Sequence, residues 1–269
     1  MSILILYYIP MNLLQAILLS IIEGITEFLP VSSTGHLVLA GTLLKIPQSD
    51  FLSSFEIFIQ LGAIVGIVML YGKTMLVQKN KIITITAAFI PTAIVGFVLY
   101  KIVKHMLLGN PWIVVVSLIL GGIALIVFER IFKSNDQRTI SFESFPISRA
   151  VVIGLFQSIS IIPGISRSAA TIMGSQLMGL SKKDAVEFSF LLAVPTMVAA
   201  TLYDLVKSRA YMFSSAQWGL LSVGFIVSCI TAVLVVKLFL TFIQKKNVFL
   251  WFGIYRIVIA ILYTTIVIR

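Results

Sequence analysis

Glu23 and Glu27 stand in an apolar stretch, 13–29, that runs directly into Pro30-Val31-Ser32-Ser33-Thr34-Gly35-His36. Four residues apart on a helix, the two carboxylates share one face. An ionisable group at bilayer depth costs at least about 2.5 kcal/mol unless it is paired, hydrated or metal-bound. Two acids in such a segment therefore define a candidate site, and their oxygens suit a hard divalent cation, Mg2+ or Ca2+, held partly through water. His36 follows Ser33 by three residues, within one helical turn. A hydroxyl nucleophile with an imidazole base beside it is an arrangement that cleaves phosphoesters.

A second cluster, Pro163-Gly164-Ile165-Ser166-Arg167-Ser168-Ala169-Ala170-Thr171, lies in the other half of the chain. Both clusters put hydroxyls just ahead of a short apolar segment: Ser32, Ser33 and Thr34 before Leu37, Ser166 and Ser168 before Ile172. This is helix-capping chemistry, and a helix start with free N–H groups and about half a positive charge is an anion site. Arg167 adds a planar fork of donors matched to phosphate oxygens. Each of these residues also has a plainer use: the hydroxyls as caps alone, the acids bonded to backbone at a helix break, Arg167 as their counter-ion.

The rest of the chain must place these groups in a membrane. With 59% hydrophobic and 11% charged residues and a mean hydropathy of +1.09, the composition excludes a soluble globular domain, whose charged fraction is about 25%. The fold class expected is an all-α polytopic membrane protein. No Lys or Arg precedes Lys45, no small-residue cleavage site is present and the first apolar run carries acids, so the first segment is expected to stay rather than be removed as a signal peptide. Cys229 is the single cysteine, which rules out a disulfide framework or thiolate metal site. The net charge of +10 does not indicate nucleic acid, because the Lys and Arg fall between apolar segments, where anionic headgroups and the positive-inside bias account for them.

Apolar segments run over 13–31, 37–46, 55–71, 82–100 and 112–128, then over 147–163, 168–180, 185–203, 218–243 and 248–268. These are two sets of five. Sliding the chain by 134 lays Glu23, Ser32 and Thr34 on Gln157, Ser166 and Ser168. Shifts of 131 and 136 lay Glu56 on Glu187 and Trp112 on Val248. The expected organisation is a first repeat over 1–132, a cytoplasmic linker over 133–146 and a second repeat over 147–269. In each repeat the first segment ends in a Pro/Gly/Ser break and the second is too short to span, so the pair should be re-entrant. Three spanning helices per repeat, about six in all, then force the second repeat to be inverted. Under that topology twelve Lys/Arg fall on one side (73, 79, 81, 130, 133, 138, 149, 182, 183, 237, 245, 246) and six on the side of the termini (45, 101, 104, 207, 209, 269). The termini and the first break are thus expected outside the cytoplasm. The halves are also complementary: Glu27 aligns with Ile161, His36 with Ala170 and Ser33 with Arg167, so one supplies acids and the other a cation.

Glu23-Gly-Ile-Thr-Glu27 with Pro30-Val-Ser-Ser-Thr-Gly-His36, and Pro163-Gly-Ile-Ser-Arg-Ser-Ala-Ala-Thr171, together resemble the two signature motifs of the bacterial undecaprenyl-diphosphate phosphatases of the bacitracin-resistance type. The similarity extends along the chain, through Glu187-Phe-Ser-Phe-Leu-Leu-Ala-Val-Pro195 and Tyr255-Arg256. The resemblance implies a multi-pass enzyme of the bacterial cytoplasmic membrane that removes the terminal phosphate of undecaprenyl diphosphate, its site opening to the extracytoplasmic side. It implies dependence on a divalent cation at Glu23 and Glu27, and a nucleophile at Ser33 or His36. Diphosphate binding falls to Arg167 with Ser166, Ser168 and Thr171, alongside Ser32, Thr34 and Gly164 in the two loops. The partners expected are the polyprenyl diphosphate, membrane lipids and a second copy in a homodimer. The competing reading is a polyprenyl-phosphate transporter or flippase, which broken helices meeting at mid-membrane also fit. Glu56 and Glu187 are balanced between site and loop-bonding roles, and Arg256, within the last apolar segment, must find an acid, a carbonyl or a phosphate.

Overall fold

A computed structural model describes residues 11–102, 111–132, 139–207 and 213–267. Its elements are α1 (Leu13–Thr26), α2 (Ser33–Leu43), α3 (Asp50–Val77), α4 (Lys79–Ile102), α5 (Pro111–Ile131), α6 (Ile147–Ser158), α7 (Arg167–Leu177), α8 (Lys182–Lys207), α9 (Ser215–Phe242) and α10 (Val248–Val267). Among the described residues six helices, α3, α4, α5, α8, α9 and α10, are long and apolar enough to cross a membrane. The protein is an all-α multi-pass membrane protein.

The short helices follow from their sequences. Asn12 and Gln15 form a reciprocal capping box that starts α1. At 14 residues α1 reaches about 21 Å, short of the ~30 Å hydrocarbon core, and α2 and α7 at 11 residues each reach about 17 Å. The residues that open α2 and α7, Ser32 (φ 73°, ψ 95°) and Ser166 (φ 68°, ψ 110°), share a positive-φ backbone that costs a non-glycine residue roughly 1–3 kcal/mol. Two sharp breaks with the same geometry thus occupy corresponding places in the two halves.

Packing repeats in the same way. Helix α1 packs on α2 and α9, and α6 packs on α7 and α4; α3 meets α9 as α8 meets α4; α2 touches α10 as α7 touches α5. The contacts of α3 with α8 and α5 with α10 join corresponding helices, whereas the packing of α7 on α8, as extensive as that of α3 on α8, has no counterpart of that extent between α2 and α3. Small residues permit the close crossings, as usual for helices in lipid. A Cβ on Gly24 would sit 2.6 Å from Thr231 Cβ, and one on Gly122 would sit 2.7 Å from the Gly253 carbonyl oxygen. The Glu129 carboxylate accepts from the backbone N–H groups of Asn247 and Phe249 and so caps the start of α10.

The expected linker lies partly outside the described residues, at 133–138. Its remainder is not loose: Phe142 and Phe145 are buried against Phe188 of α8. Lys81, at the start of α4, pairs with Glu187 at 2.8 Å and lies over the Phe142 ring. Glu187 therefore has a structural partner. Glu56, its counterpart by sequence, forms no ion pair among the described residues.

Candidate functional site

The two breaks meet. Arg167, the first residue of α7, forms an ion pair with Glu27 at 2.9 Å, and Ser168 Oγ donates to the Leu29 carbonyl at 2.7 Å. From the other side Ser33 Oγ, at the start of α2, donates to Glu27 Oε2 at 2.7 Å. Glu27 is the hub, with one oxygen taken by each half of the chain. The resemblance implies phosphate binding by Arg167, with a counter-ion role as the plainer use; its guanidinium pairs with Glu27 and, through Nη1, donates to the Ser189 carbonyl at 2.9 Å, while the buried Nε has no partner among the described residues. Thr171 is held beneath it by Ser189 Oγ at 2.6 Å and by the Arg167 carbonyl. Ser166 Oγ accepts from Ala169 N–H as a true cap and lies 3.2 Å from Ser168 Oγ.

Glu23 is fully buried, and neither of its oxygens receives a hydrogen bond among the described residues. The carboxylates of Glu27 and Glu56 and the Arg167 guanidinium are its charged neighbours. Two adjacent carboxylates in a dry interior need a shared proton or a cation between them. Hard oxygen donors with orphaned lone pairs fit a divalent ion. Among the described residues no group of three or more acidic, His or Cys side chains converges, so a Mg2+ or Ca2+ there would complete its shell with water and substrate oxygens.

The expected Ser33–His36 pair does not form. Ser33 turns to Glu27, whereas His36 Nδ1 lies 2.7 Å from the Ser32 carbonyl oxygen and Nε2 lies 2.8 Å from the Tyr255 hydroxyl on α10. Three residues apart places two side chains on one helical face but not in contact when each finds a closer partner. Ser32 makes no side-chain cap bond; its carbonyl does the anchoring. Thr34 is exposed while Ser33, Gly35 and His36 are buried. Gly164, at φ +94°, sits against α5, where a Cβ would lie 2.8 Å from both Ser117 Cβ and the Val114 carbonyl oxygen.

Arg256, fully buried on α10, resolves to carbonyls alone among the described residues. It donates to Gly164 at 2.8 Å, Ser117 at 3.0 Å, Ile165 at 3.2 Å, Pro30 at 3.3 Å and Leu118 at 3.4 Å. Pro30 belongs to the first break, Gly164 and Ile165 to the second. One guanidinium therefore pins both breaks to α5, and Gly121 leaves the room for it. Sequence reasoning missed Tyr255 and Ser189 as neighbours of the site. Both stand in segments that carry the family resemblance, Tyr255 in Tyr255-Arg256 and Ser189 in Glu187–Pro195, but spacing along the chain did not bring either to the site.

Among the described residues, ten helices whose two breaks bring acids, hydroxyls and an arginine together define a polytopic membrane protein. The chain belongs to the Bacitracin resistance protein BacA family, which it matches over residues 16–262. It is 51% identical over 253 residues to the undecaprenyl-diphosphatase of Aquifex aeolicus (strain VF5), covering 93% of this chain and 96% of that protein. It is 49% identical to the undecaprenyl-diphosphatase of Sulfurihydrogenibium sp. (strain YO3AOP1), covering 94% and 98%. The undecaprenyl-diphosphatase of Wolinella succinogenes is 47% identical, covering 94% and 97%.

Proposed function

We propose that this protein hydrolyses undecaprenyl diphosphate to undecaprenyl phosphate and phosphate, regenerating the lipid carrier of cell-wall synthesis and thereby conferring resistance to bacitracin. The observation that carries the reading is the contact of Ser33 Oγ with a buried carboxylate, Glu27, that is itself paired to Arg167. A transporter of a lipid phosphate has use for Arg167 and the helix starts, but none for a hydroxyl aimed at a base.

Glu27, 2.7 Å from Ser33 Oγ, takes the hydroxyl proton as Oγ attacks the terminal phosphorus and the bridging P–O bond breaks to release undecaprenyl phosphate. Water then cleaves the phosphoserine, freeing phosphate and restoring the hydroxyl, so the carboxylate, not His36, serves the nucleophile. Arg167 presents its unspent Nε–H to a phosphate oxygen, and the free N–H groups of the α2 and α7 starts supply further donors. Glu23 and Glu27 would hold a Mg2+ or Ca2+, which supplies positive charge to the diphosphate oxygens when bound. Arg256 keeps the two loops in register around that anion. The matched helix packings support inverted repeats, and the excess of Lys/Arg on one side supports a site that opens outward from the bacterial cytoplasmic membrane.

The test is phosphate release from undecaprenyl diphosphate by purified protein in detergent. Metal-dependent release that vanishes in Ser33→Ala is the expected result. No release by folded wild type with Mg2+ or Ca2+ supplied would remove the phosphatase reading in favour of the transporter.

A further inference from the structure

His36 and Tyr255 come from opposite ends of the chain and meet through one hydrogen bond. Their rings are 11° from parallel with centroids 5.5 Å apart, and Tyr255 Oη lies 2.8 Å from Nε2. A carbonyl can only accept, so the Ser32 carbonyl 2.7 Å from Nδ1 fixes the ring proton there. Nε2 of the neutral ring then carries a single in-plane lone pair, and the Tyr255 hydroxyl occupies it as donor. The Tyr255 ring is not core filling, since the residue is 42% exposed, yet its polar tip turns inward to a buried imidazole. Arg256, the next residue, is locked to five carbonyls and so fixes the rotation of α10 that delivers the hydroxyl.

We propose that Tyr255 is the positioning residue of His36 and the gate for its proton, an inference that rests on the phosphatase reading for its kinetic consequence. A phenol donates to a neutral imidazole and accepts from an imidazolium, so His36 changes charge without losing its anchor. Because the one lone pair of Nε2 points at Oη, protonation of the ring runs through that oxygen. The Tyr255 proton moves to Nε2 as the hydroxyl takes one from water or from a protonated phosphate oxygen, and the tyrosine ends neutral. Release runs the same path backwards.

Tyr255→Phe keeps the aromatic ring and removes only the hydroxyl. Its expected effect is about a tenfold fall in kcat with KM within about twofold, the size of one lost hydrogen bond to a charged group. On the residual rate of His36→Ala the same change should add nothing, whereas additive losses would overturn the proposal. A measurement that needs no turnover decides it independently. His36 and His105 are the two histidines of the chain, so 15N-histidine spectra of a His105→Asn protein in micelles report His36 alone. A ring protonated at Nδ1, with an Nε2 shift that moves in Tyr255→Phe, supports the inference; an Nε2-protonated ring, or a shift indifferent to the substitution, ends it. Absence of phosphate release by wild type would instead count against the phosphatase reading and leave the spectra to judge Tyr255.

Discussion

Replacing Arg256 by Met tests how the two broken segments are held. The guanidinium donates to five carbonyls, and three of them, Pro30, Gly164 and Ile165, lie in the breaks and receive no backbone N–H. The other two belong to helix α5 and are less dependent on it. A buried acceptor left without its donor costs about 1–3 kcal/mol, so three loop carbonyls together amount to roughly 3–9 kcal/mol. Against a typical total of about 5–15 kcal/mol this is a large share. At about 2–4 °C per kcal/mol for a chain of this size, melting in detergent should fall by roughly 10 °C or more. Lys, with three donors on a narrow head, should recover only part of that loss. A melting temperature of Arg256→Met within about 2 °C of wild type would refute the clamp. If such a stable variant showed a raised KM for undecaprenyl diphosphate, Arg256 would be a ligand of the substrate phosphate instead.

Gly164→Ala places a Cβ 2.8 Å from Ser117 Cβ on a backbone at φ +94°, and should lower both thermal stability and phosphate release, by about 1–3 kcal/mol for the backbone alone. Lys81→Met leaves Glu187 without its partner in a mostly buried place, about 3–5 kcal/mol by thermal unfolding, and Lys81→Met with Glu187→Met should recover most of it. Glu23→Gln removes one of two anionic ligands from the proposed cation site. The Mg2+ needed for half-maximal phosphate release should then rise at least tenfold, since even partners behind a ligand are worth about 10–100-fold in affinity; an unchanged requirement would show that the cation lies elsewhere.

Much of this arrangement was legible in the residues. The alignment of Ser32 with Ser166 carries through to a shared backbone break, because the hydroxyl-rich segments before Leu37 and Ile172 offer the chain the same local alternatives to helix. Acids in one half and an arginine in the other pointed to each other, and Glu27 with Arg167 is that meeting. The partners of His36 and Arg256 were not legible. Tyr255 lies 219 residues from His36, and Gly164 lies 92 from Arg256. Sequence spacing predicts neighbours within a helix, whereas these pairs depend on how α10 rotates against α2 and α5. The same limit explains Ser33. Its offset from His36 is right for one face, but Glu27, six residues earlier across the break, comes closer.

The position of Arg256 also fixes when the protein becomes whole. Ribosomal synthesis delivers the Glu23 segment before α10, so the first loop waits through the insertion of every intervening segment before Pro30 meets its donor. Until then Glu23, Glu27 and the strained Ser32 sit in a nascent chain without the arginine that clamps them. A ribosome-bound chain halted before residue 256 would carry both motifs and yet hold an open, unlatched site.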